Sequence, residues 1–220
     1  QTYGTATNFL GATDTLKMDI YMPICGDSQG ISRKPLVLFI HGGAFIAGSK
    51  DEQSITSLCK NFAQRGYVTA SVEYRLGFIS DDKAWNCNYP NYSCVFATDS
   101  AEWYRAYYRG VQDAKGALRY FVNRHNQYKI DTLNIFLAGE SAGAFVSLGV
   151  ALMDTASERL PQTFKIDSVP QPHSQTKSCV YNKGKNFGTG NIPRPDLGVI
   201  EGTIEPTSIN YQIKAVGNFY

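Results

Sequence analysis

The sequence has few metal-binding side chains and no long apolar run. It contains three histidines and five cysteines, with no Cys-x-x-Cys pair, and the three histidines lie far apart. These spacings match no zinc site, so we predict no metal ion. The longest apolar run, Leu36 to Ile40, is far shorter than the roughly 20 residues of a membrane-spanning helix. We therefore expect no transmembrane segment.

The chain also lacks an excess of charge of one sign. Its 21 Lys and Arg residues against 19 Asp and Glu residues give a formal net charge of +2. The basic residues are scattered and form no stripe with aromatic residues, which argues against nucleic-acid binding driven by bulk charge. A length of 220 residues with 43% hydrophobic and 18% charged side chains is typical of a globular chain with one sizeable core.

Two features bear on the compartment of the protein. The chain begins with Gln1 rather than Met, which we interpret as the start left by removal of a signal peptide or an expression tag. Cys87 and Cys94 bracket a short loop, NCNYPNYSC, which can close as a disulfide in an oxidising compartment. Two reduced thiols on a polar loop are the alternative. From these features we expect a secreted or periplasmic protein.

Strand-like and helix-like apolar patterns alternate along the chain. Because parallel strands need crossover connections, this alternation predicts an α/β fold with a doubly wound, mostly parallel sheet and helices on both faces. We expect residues 81–100 to form a surface excursion and residues of about 154–212 to form a loop-rich insertion in a single domain. The predicted strands are 16–22, 35–40, 67–74, 133–138 and 213–220, and the predicted helices are 55–63, 103–122 and 142–153.

The sequence GESAG at residues 139–143 lies between a predicted buried strand and a predicted apolar helix. Its two glycines permit a sharp turn that exposes the Ser141 hydroxyl at the helix N-terminus. The G-x-S-x-G pattern alone is common by chance, but between a strand and a helix it is typical of a nucleophile. We therefore predict that Ser141 is a catalytic nucleophile, with a structural turn serine as the alternative.

A second motif, HGGAF at residues 41–45, directly follows a predicted strand. Acyl transfer needs backbone N–H groups aimed at the developing negative charge, and glycine lets the backbone approach closely. We predict that the amides of Gly42, Gly43 and Ala142 form an oxyanion hole. His41 is predicted to hold this loop by hydrogen bonds rather than to act as a general base.

Together these segments resemble α/β-hydrolases of the carboxylesterase and lipase type that carry an HGG oxyanion loop. The resemblance spans roughly residues 15–155, and the strand predicted over 213–220 resembles the next core strand. More closely, HGGAFIAGSK and ESAGAF resemble secreted bacterial esterases of the acetyl and feruloyl type. The matching residues are HGGAF, the strand end VEYRL at 72–76, Asp113, Ala117-Leu118 and GESAG.

The resemblance implies a triad in the chain order Ser, Asp or Glu, then His, on loops that follow later strands. Because the chain stops at Tyr220, we expect it to be the N-terminal portion of a longer domain and to be inactive alone. The acid and the base are then absent from this chain. Within the chain, His173 preceded by Asp154 or Asp167 is the remaining candidate base, with a solvated loop histidine as its alternative. Glu140 is expected to be a structural partner under the turn rather than the triad acid.

The predicted activity is hydrolysis of carboxylic esters through an acyl-enzyme on Ser141, with no cofactor. The resemblance to the secreted branch implies acetyl or feruloyl esters of polysaccharide as substrates, with small-molecule or short-chain lipid esters as competitors. A non-catalytic binding or adhesion protein, a serine peptidase and a lipase of the same fold are the alternatives. Adhesion relatives typically lose the nucleophile or the glycines, and both are present here.

Overall fold

A computed structural model describes residues 1–9, 11–23, 33–77, 100–158, 163, 197–198 and 200–219. Within these residues a six-stranded sheet has the strand order β1-β2-β4-β3-β5-β6. The strands are β1 (Thr2–Thr7), β2 (Thr13–Tyr21), β3 (Lys34–Ile40), β4 (Val68–Val72), β5 (Ile130–Glu140) and β6 (Ile213–Phe219). The helices are α1 (Gln53–Ala63), α2 (Ser100–Asn123) and α3 (Ala142–Leu152), followed by a short 3-10 helix at Ala156–Glu158.

The sheet confirms the predicted α/β architecture. Strand β3 pairs in parallel with β4 and with β5, and β5 pairs in parallel with β6. Strand β2 runs antiparallel to β4, and β1 adds to β2 as an antiparallel outer strand that we did not predict. Only Tyr3 of β1 is fully buried, so its sequence TYGTAT carries no alternating apolar signal.

Two layers of apolar side chains cover the two faces of the sheet. Leu36, Leu38 and Ile40 of β3 belong to the core that contains α2 and α3. The alternate residues Val37 and Phe39 pack on the other face, against α1. This alternation is the period of two of a strand, and burial on both faces explains why β3 reads as a continuous apolar run. Each such side chain contributes about 1.5–3 kcal/mol when fully buried.

The connections that follow β3 and β5 diverge at the carboxyl edge of the sheet. Helix α1 follows β3 on one face, whereas α3 follows β5 on the opposite face. The register pairs Ile40 of β3 with Gly139 of β5, so the two strands end side by side. In open α/β sheets, neighbouring loops that diverge in this way leave a crevice where ligands bind. We therefore expect the ligand crevice between residues 41–48 and residues 139–143.

A buried ion pair ties the end of β4 to α2. Arg75 donates to the Asp113 carboxylate from its backbone N at 2.8 Å and from Nε at 2.9 Å. Its guanidinium also donates to the Thr7 carbonyl at 2.6 Å and to Gln112 Oε1 at 3.1 Å. Both charged residues are buried, and the hydrogen bonds offset the cost of removing them from water. Both residues belong to the segments that resemble α/β-hydrolases, but no sequence pattern predicted that they pair.

The described part of the segment after α3 also enters the core. Leu197, Ile200 and Ile204 are buried, and the Ile204 side chain packs against the backbone of Gly4 and of Gly116. Residues 200–212 contain neither helix nor strand. Whether residues 154–212 are an insertion in the domain stays a prediction.

In the described ranges, no helix has both the length and the apolar character that crossing a membrane requires. Helix α2 is long enough, with 24 residues, but charged residues occur along its whole length. Helices α1 and α3 have 11 residues each.

Candidate active site

Ser141 occupies a sharp turn between β5 and α3, as predicted. Its backbone angles are φ 50° and ψ −114°, in a region that residues with a side chain rarely adopt. Such a conformation costs on the order of 1–3 kcal/mol and persists only where the surroundings hold it. The Ser141 amide donates to the carbonyl of Phe219, the last residue of β6, at 3.0 Å. The residue itself is exposed at the carboxyl edge of the sheet.

The two glycines of GESAG are required by close packing of backbone on backbone. A β-carbon on Gly139 would overlap the carbonyl of Gly143 in the first turn of α3. A β-carbon on Gly143 would overlap the carbonyl of Ile40 at the end of β3. We call residues 139–143 the elbow. Its shape depends on the absence of side chains at these two positions.

Residues 41–48, which we call the β3 loop, curl back sharply after β3. Gly43, Ala44, Phe45 and Gly48 all have positive φ, at 102°, 53°, 60° and 96°. The Gly43 carbonyl accepts hydrogen bonds from the Ile46 amide at 3.0 Å and from the Ala47 amide at 2.9 Å, and these two bonds close the loop. Two of these four residues have a side chain, so the loop is more strained than the elbow.

The β3 loop and the elbow are in direct contact. A β-carbon on Gly42 would lie 3.2 Å from Ser141 Cβ and 3.0 Å from the Glu140 carbonyl oxygen. Glycine therefore lets the loop approach Ser141 this closely, and a β-carbon at position 42 would require its neighbours to shift by a few tenths of an ångström. Ala142 begins α3, and the first amides of a helix have no intrahelical acceptor and carry partial positive charge. The structure thus brings together Gly42, Ser141 and Ala142, with Gly43 as the next residue in the loop.

His41 lies buried beneath the β3 loop. Its Nδ1 is 2.8 Å from the Gly42 carbonyl oxygen, and its ring stacks on Tyr74 with centroids 4.5 Å apart. The Tyr74 hydroxyl donates to the His41 carbonyl at 3.1 Å. Among the described residues, no group lies within hydrogen-bonding distance of Nε2. Because Nδ1 faces a carbonyl, it carries the proton, and burial lowers the pKa of His41 and keeps the ring neutral.

The hydrogen bond from His41 acts on the peptide between Gly42 and Gly43. A trans peptide is planar, so fixing the carbonyl of Gly42 also fixes the direction of the Gly43 N–H on the opposite side. This is the loop-holding contact that the sequence analysis predicted for His41. The ring therefore orients one of the candidate oxyanion donors without facing Ser141.

Glu140 connects the elbow to α1. Its carboxylate accepts a hydrogen bond from the Ser54 hydroxyl in the first turn of α1 at 2.9 Å. That helix has no side-chain cap at Glu52 and no acidic residue in its first turn. The Glu140 carboxylate therefore supplies negative charge near the positive end of the helix dipole. This contact agrees with a structural role for Glu140. No motif in the sequence indicated its partner Ser54.

Two further described residues, the histidine His125 and the candidate acid Asp154, are not brought to Ser141. His125 follows the end of α2 and precedes β5, so it lies at the amino edge of the parallel strands, with Nδ1 2.9 Å from the Val122 carbonyl. Asp154 follows α3, and its amide donates to the Glu158 carboxylate at 2.7 Å. Four predicted residues lie outside the described part of the chain and stay predictions: Asp167, His173, Cys87 and Cys94.

The residues of other elements that hold the β3 loop in place were not predicted from the sequence. Tyr74 stacks under His41, and the Gly77 amide donates to the Phe45 carbonyl at 2.7 Å. The available signal was a Tyr and an Arg placed directly after a fully buried strand. Side chains at such strand ends meet the loops of the same sheet edge.

The chain matches the BD-FAE family over residues 18–87 and 97–184. These ranges include both HGGAF and GESAG, together with the Arg75 and Asp113 pair.

Individual relatives are more distant. The chain is 27% identical over 165 residues to the isoprenylcysteine alpha-carbonyl methylesterase ICME of Arabidopsis thaliana, covering 74% of this chain and 30% of the relative. It is 28% identical over 153 residues to the neuroligin-like protein glit-1 of Caenorhabditis elegans, covering 69% of this chain and 18% of the relative. The chain thus spans less than a third of the length of these curated relatives.

Among solved structures, the apo form of Thermogutta terrifontis esterase 2 is similar at a TM-score of 0.48 and 24% identity, covering 70% of this chain and 46% of the esterase. The family match covers more than half of the chain and includes both motifs at the crevice. It agrees with the doubly wound sheet and with the resemblance to α/β-hydrolase esterases inferred from the sequence. The chain therefore belongs to the BD-FAE family of α/β-hydrolases.

Proposed function

We propose that the protein is a serine hydrolase that cleaves carboxylic esters through an acyl-enzyme on Ser141. The observation that carries this proposal is the strained, exposed Ser141 at the end of β5, in contact with the glycine backbone of the β3 loop. Membership of the BD-FAE family and the presence of a methylesterase among the relatives support ester hydrolysis.

In the proposed reaction, the Ser141 hydroxyl attacks the ester carbonyl and gives its proton to a histidine base. The carbonyl oxygen becomes an oxyanion and accepts hydrogen bonds from the amides of Gly42, Gly43 and Ala142. The base then protonates the departing alcohol, which leaves the acyl group on Ser141. Water activated by the same base releases the acid and restores the serine. The partial positive charge at the start of α3 stabilises the same oxyanion.

Neither described histidine is placed to act as this base. His41 is buried with Nδ1 engaged by the Gly42 carbonyl, and His125 lies at the opposite edge of the sheet. We propose that the base and its acidic partner come from outside the described residues. His173 stays a candidate on the same terms.

The proposed substrates are acetyl or feruloyl esters of polysaccharide, with small-molecule and short-chain lipid esters as competitors. The family match supports the feruloyl esterase-like class, and nothing in the described crevice selects the acyl group. We further propose secretion or export to the periplasm, with a disulfide between Cys87 and Cys94 as the accompanying prediction. Reaction of the native protein with a thiol reagent before and after reduction tests that disulfide.

A non-catalytic adhesion protein is the second candidate, and similarity to the neuroligin-like protein glit-1 is the observation that favours it. The hydrolase is preferred because Ser141, Gly42 and Gly43 are all present and the backbone of Gly42 lies against Ser141.

Labelling of the full-length native protein with a fluorophosphonate probe tests the proposed function. We expect the probe to modify the peptide that contains Ser141, and Ser141→Ala to lose labelling and at least about 10⁴-fold in ester hydrolysis. Ser157→Ala changes an exposed serine of the 3-10 helix and serves as the matched control, with labelling retained. A folded wild-type protein that takes no label and hydrolyses no ester would instead favour the adhesion protein. Comparison of acetyl, feruloyl and peptide substrates then separates the substrate classes.

A further inference from the structure

The β3 loop inserts one aromatic side chain against α2. Phe45 is only 9% exposed and packs edge to face on Trp103 and Tyr107, with ring centroids 6.4 Å and 6.3 Å apart. We call these three residues the aromatic cluster. Edge-to-face packing of rings at this spacing is favourable beyond the area that it buries.

Phe45 is also the point at which the strained part of the loop becomes fixed. Gly43 and Ala44 precede it, both with positive φ and both exposed. Phe45 itself has a φ of 60°, and its carbonyl accepts a hydrogen bond from the Gly77 amide at 2.7 Å. It is the first buried side chain after the two glycines. Its burial therefore holds a backbone conformation that the chain would not adopt alone.

Tyr107 connects this anchor to the C-terminal part of α3. Its ring contacts Phe45, while its hydroxyl donates to Met153 Sδ at 3.3 Å, just beyond the end of α3. The hydroxyl also lies against Gly149 of α3, where a β-carbon would overlap it. Helix α3 begins directly after Ser141. One side chain of α2 therefore touches both the β3 loop and the helix that carries the elbow.

We propose that Phe45 and Tyr107 are positioning residues that hold the amides of Gly42 and Gly43 at the Ser141 hydroxyl. This inference rests on the proposed hydrolase function, because it assigns those amides to the oxyanion. Neither side chain contacts Ser141. Their contribution passes through the loop backbone on one side and through α3 on the other.

The test is steady-state kinetics of the full-length enzyme with p-nitrophenyl acetate. In Phe45→Leu and in Tyr107→Leu we expect kcat to fall about 10- to 100-fold and KM to change less than about threefold, because donors displaced from the oxyanion weaken transition-state binding selectively. Tyr107→Phe keeps the ring contacts with Phe45 and Gly149 and loses only the hydroxyl bond to Met153, so we expect it to restore most of kcat. A rise in KM without a fall in kcat would overturn the inference.

Phe62→Leu is the matched control for simple loss of packing. Phe62 belongs to an aromatic group on the opposite face of the sheet, with ring centroids 5.5 Å from Phe39 and 5.4 Å from Tyr67. We expect this variant to lower the melting temperature and to leave kcat unchanged. If Phe62→Leu lowers kcat as much as Tyr107→Leu does, the effect is general destabilisation and the inference is wrong.

The double variant, Phe45→Leu with Tyr107→Leu, tests whether the two residues act through their contact. A shared role predicts that the double variant loses about as much kcat as either single variant, whereas independent effects multiply. Multiplied effects would overturn the proposed connection.

If Tyr107→Leu fails to fold, the kcat of Phe45→Leu decides the matter. If the wild type is active and both folded variants keep its kcat, this inference alone is wrong. If the wild type is inactive and takes no label, the proposed function is wrong as well.

Discussion

The elbow and the β3 loop reach the same crevice, but different parts of the sequence hold them in place. In the elbow one residue, Ser141, is strained, and its neighbours Gly139 and Gly143 fix it by packing directly on backbone. In the β3 loop four residues have positive φ, and side chains of other elements hold them. One half of the site is thus specified locally and the other half by distant residues.

The distant support of the β3 loop forms a continuous series of contacts. We call residues 74–77 the support segment. Its Tyr74 ring stacks on His41, and its Gly77 amide donates a hydrogen bond to the Phe45 carbonyl. Arg75 then fixes the support segment to Asp113 of α2. Changes at Asp113 should therefore reach the β3 loop through the support segment, whereas changes at Gly143 should act directly on the elbow, where it packs on the carbonyls of Ile40 and His41.

Asp113→Asn is expected to have the largest effect. It removes the negative charge of Asp113 that pairs with the buried Arg75 guanidinium at 2.7 Å. Loss of one partner of a buried ion pair typically costs about 3–5 kcal/mol. We expect that loss in the free energy of unfolding, measured in urea, and reduced kcat in any variant that folds.

Asp51→Asn is the matched control for Asp113→Asn. Asp51 pairs with Lys50 at 2.7 Å, but its side chain is 67% exposed. Exposed ion pairs contribute little to stability because water screens them. Its urea transition should coincide with that of the wild type. A similar loss in both variants would show that burial of the Arg75 pair does not matter.

Gly143→Ala is expected to have the next largest effect and to act on the elbow. The new methyl group would overlap the Ile40 carbonyl, so α3 must move away from β3. Overpacking of this kind costs about 1–3 kcal/mol, and we expect the upper part of that range because backbone cannot rotate aside. Urea unfolding measures the loss, and labelling by a fluorophosphonate should slow markedly.

Gly217→Ala provides the comparison for Gly143→Ala. Gly217 lies in the outer strand β6, and a β-carbon there would have its nearest neighbour at 3.9 Å, the Ala138 Cβ. The substitution is sterically free, so stability and labelling should stay at wild-type values. If Gly143→Ala behaved in the same way, close packing would not be what shapes the elbow.

The same contrast explains how much the sequence could predict. Apolar periodicity predicted five of the strands and the helices, because each pattern is local. The elbow was predictable for the same reason, since GESAG contains both the serine and the glycines that shape it. Strand β1 was missed because its short Thr-rich sequence buries a single large side chain, Tyr3, and depends on β2 for its partner.

The supports of the β3 loop could not be predicted from local patterns. Arg75 and Asp113 are separated by 38 positions and become neighbours only when β4 and α2 pack together. The stacking of His41 on Tyr74 likewise depends on the parallel pairing of β3 with β4. Pairing of this kind is a property of the folded chain, and a single sequence contains no periodic signal for it.

His41 gives the β3 loop a dependence on pH that we expect to be the smallest of these effects. Burial lowers the pKa of His41 below the usual value of 6.5, although Glu52 and Glu140 oppose the shift. The folded protein therefore binds this proton less readily than the unfolded chain. The contribution of His41 to stability is complete above pH 6.5 and is lost as the pH falls from there towards the folded-state pKa. The slope cannot exceed about 1.4 kcal/mol per pH unit for one group.

Urea unfolding of the wild type and of His41→Gln between about pH 5.5 and 7.5 measures this slope. Both proteins contain the same other titrating groups, so the difference between their free energies of unfolding isolates His41. We expect the advantage of the wild type over the variant to shrink as the pH falls. An advantage that stays constant would mean that His41 titrates alike in the folded and unfolded chains. A growing advantage would mean that a negative partner stabilises the protonated ring. His41 would then not be the neutral donor that orients the Gly43 amide.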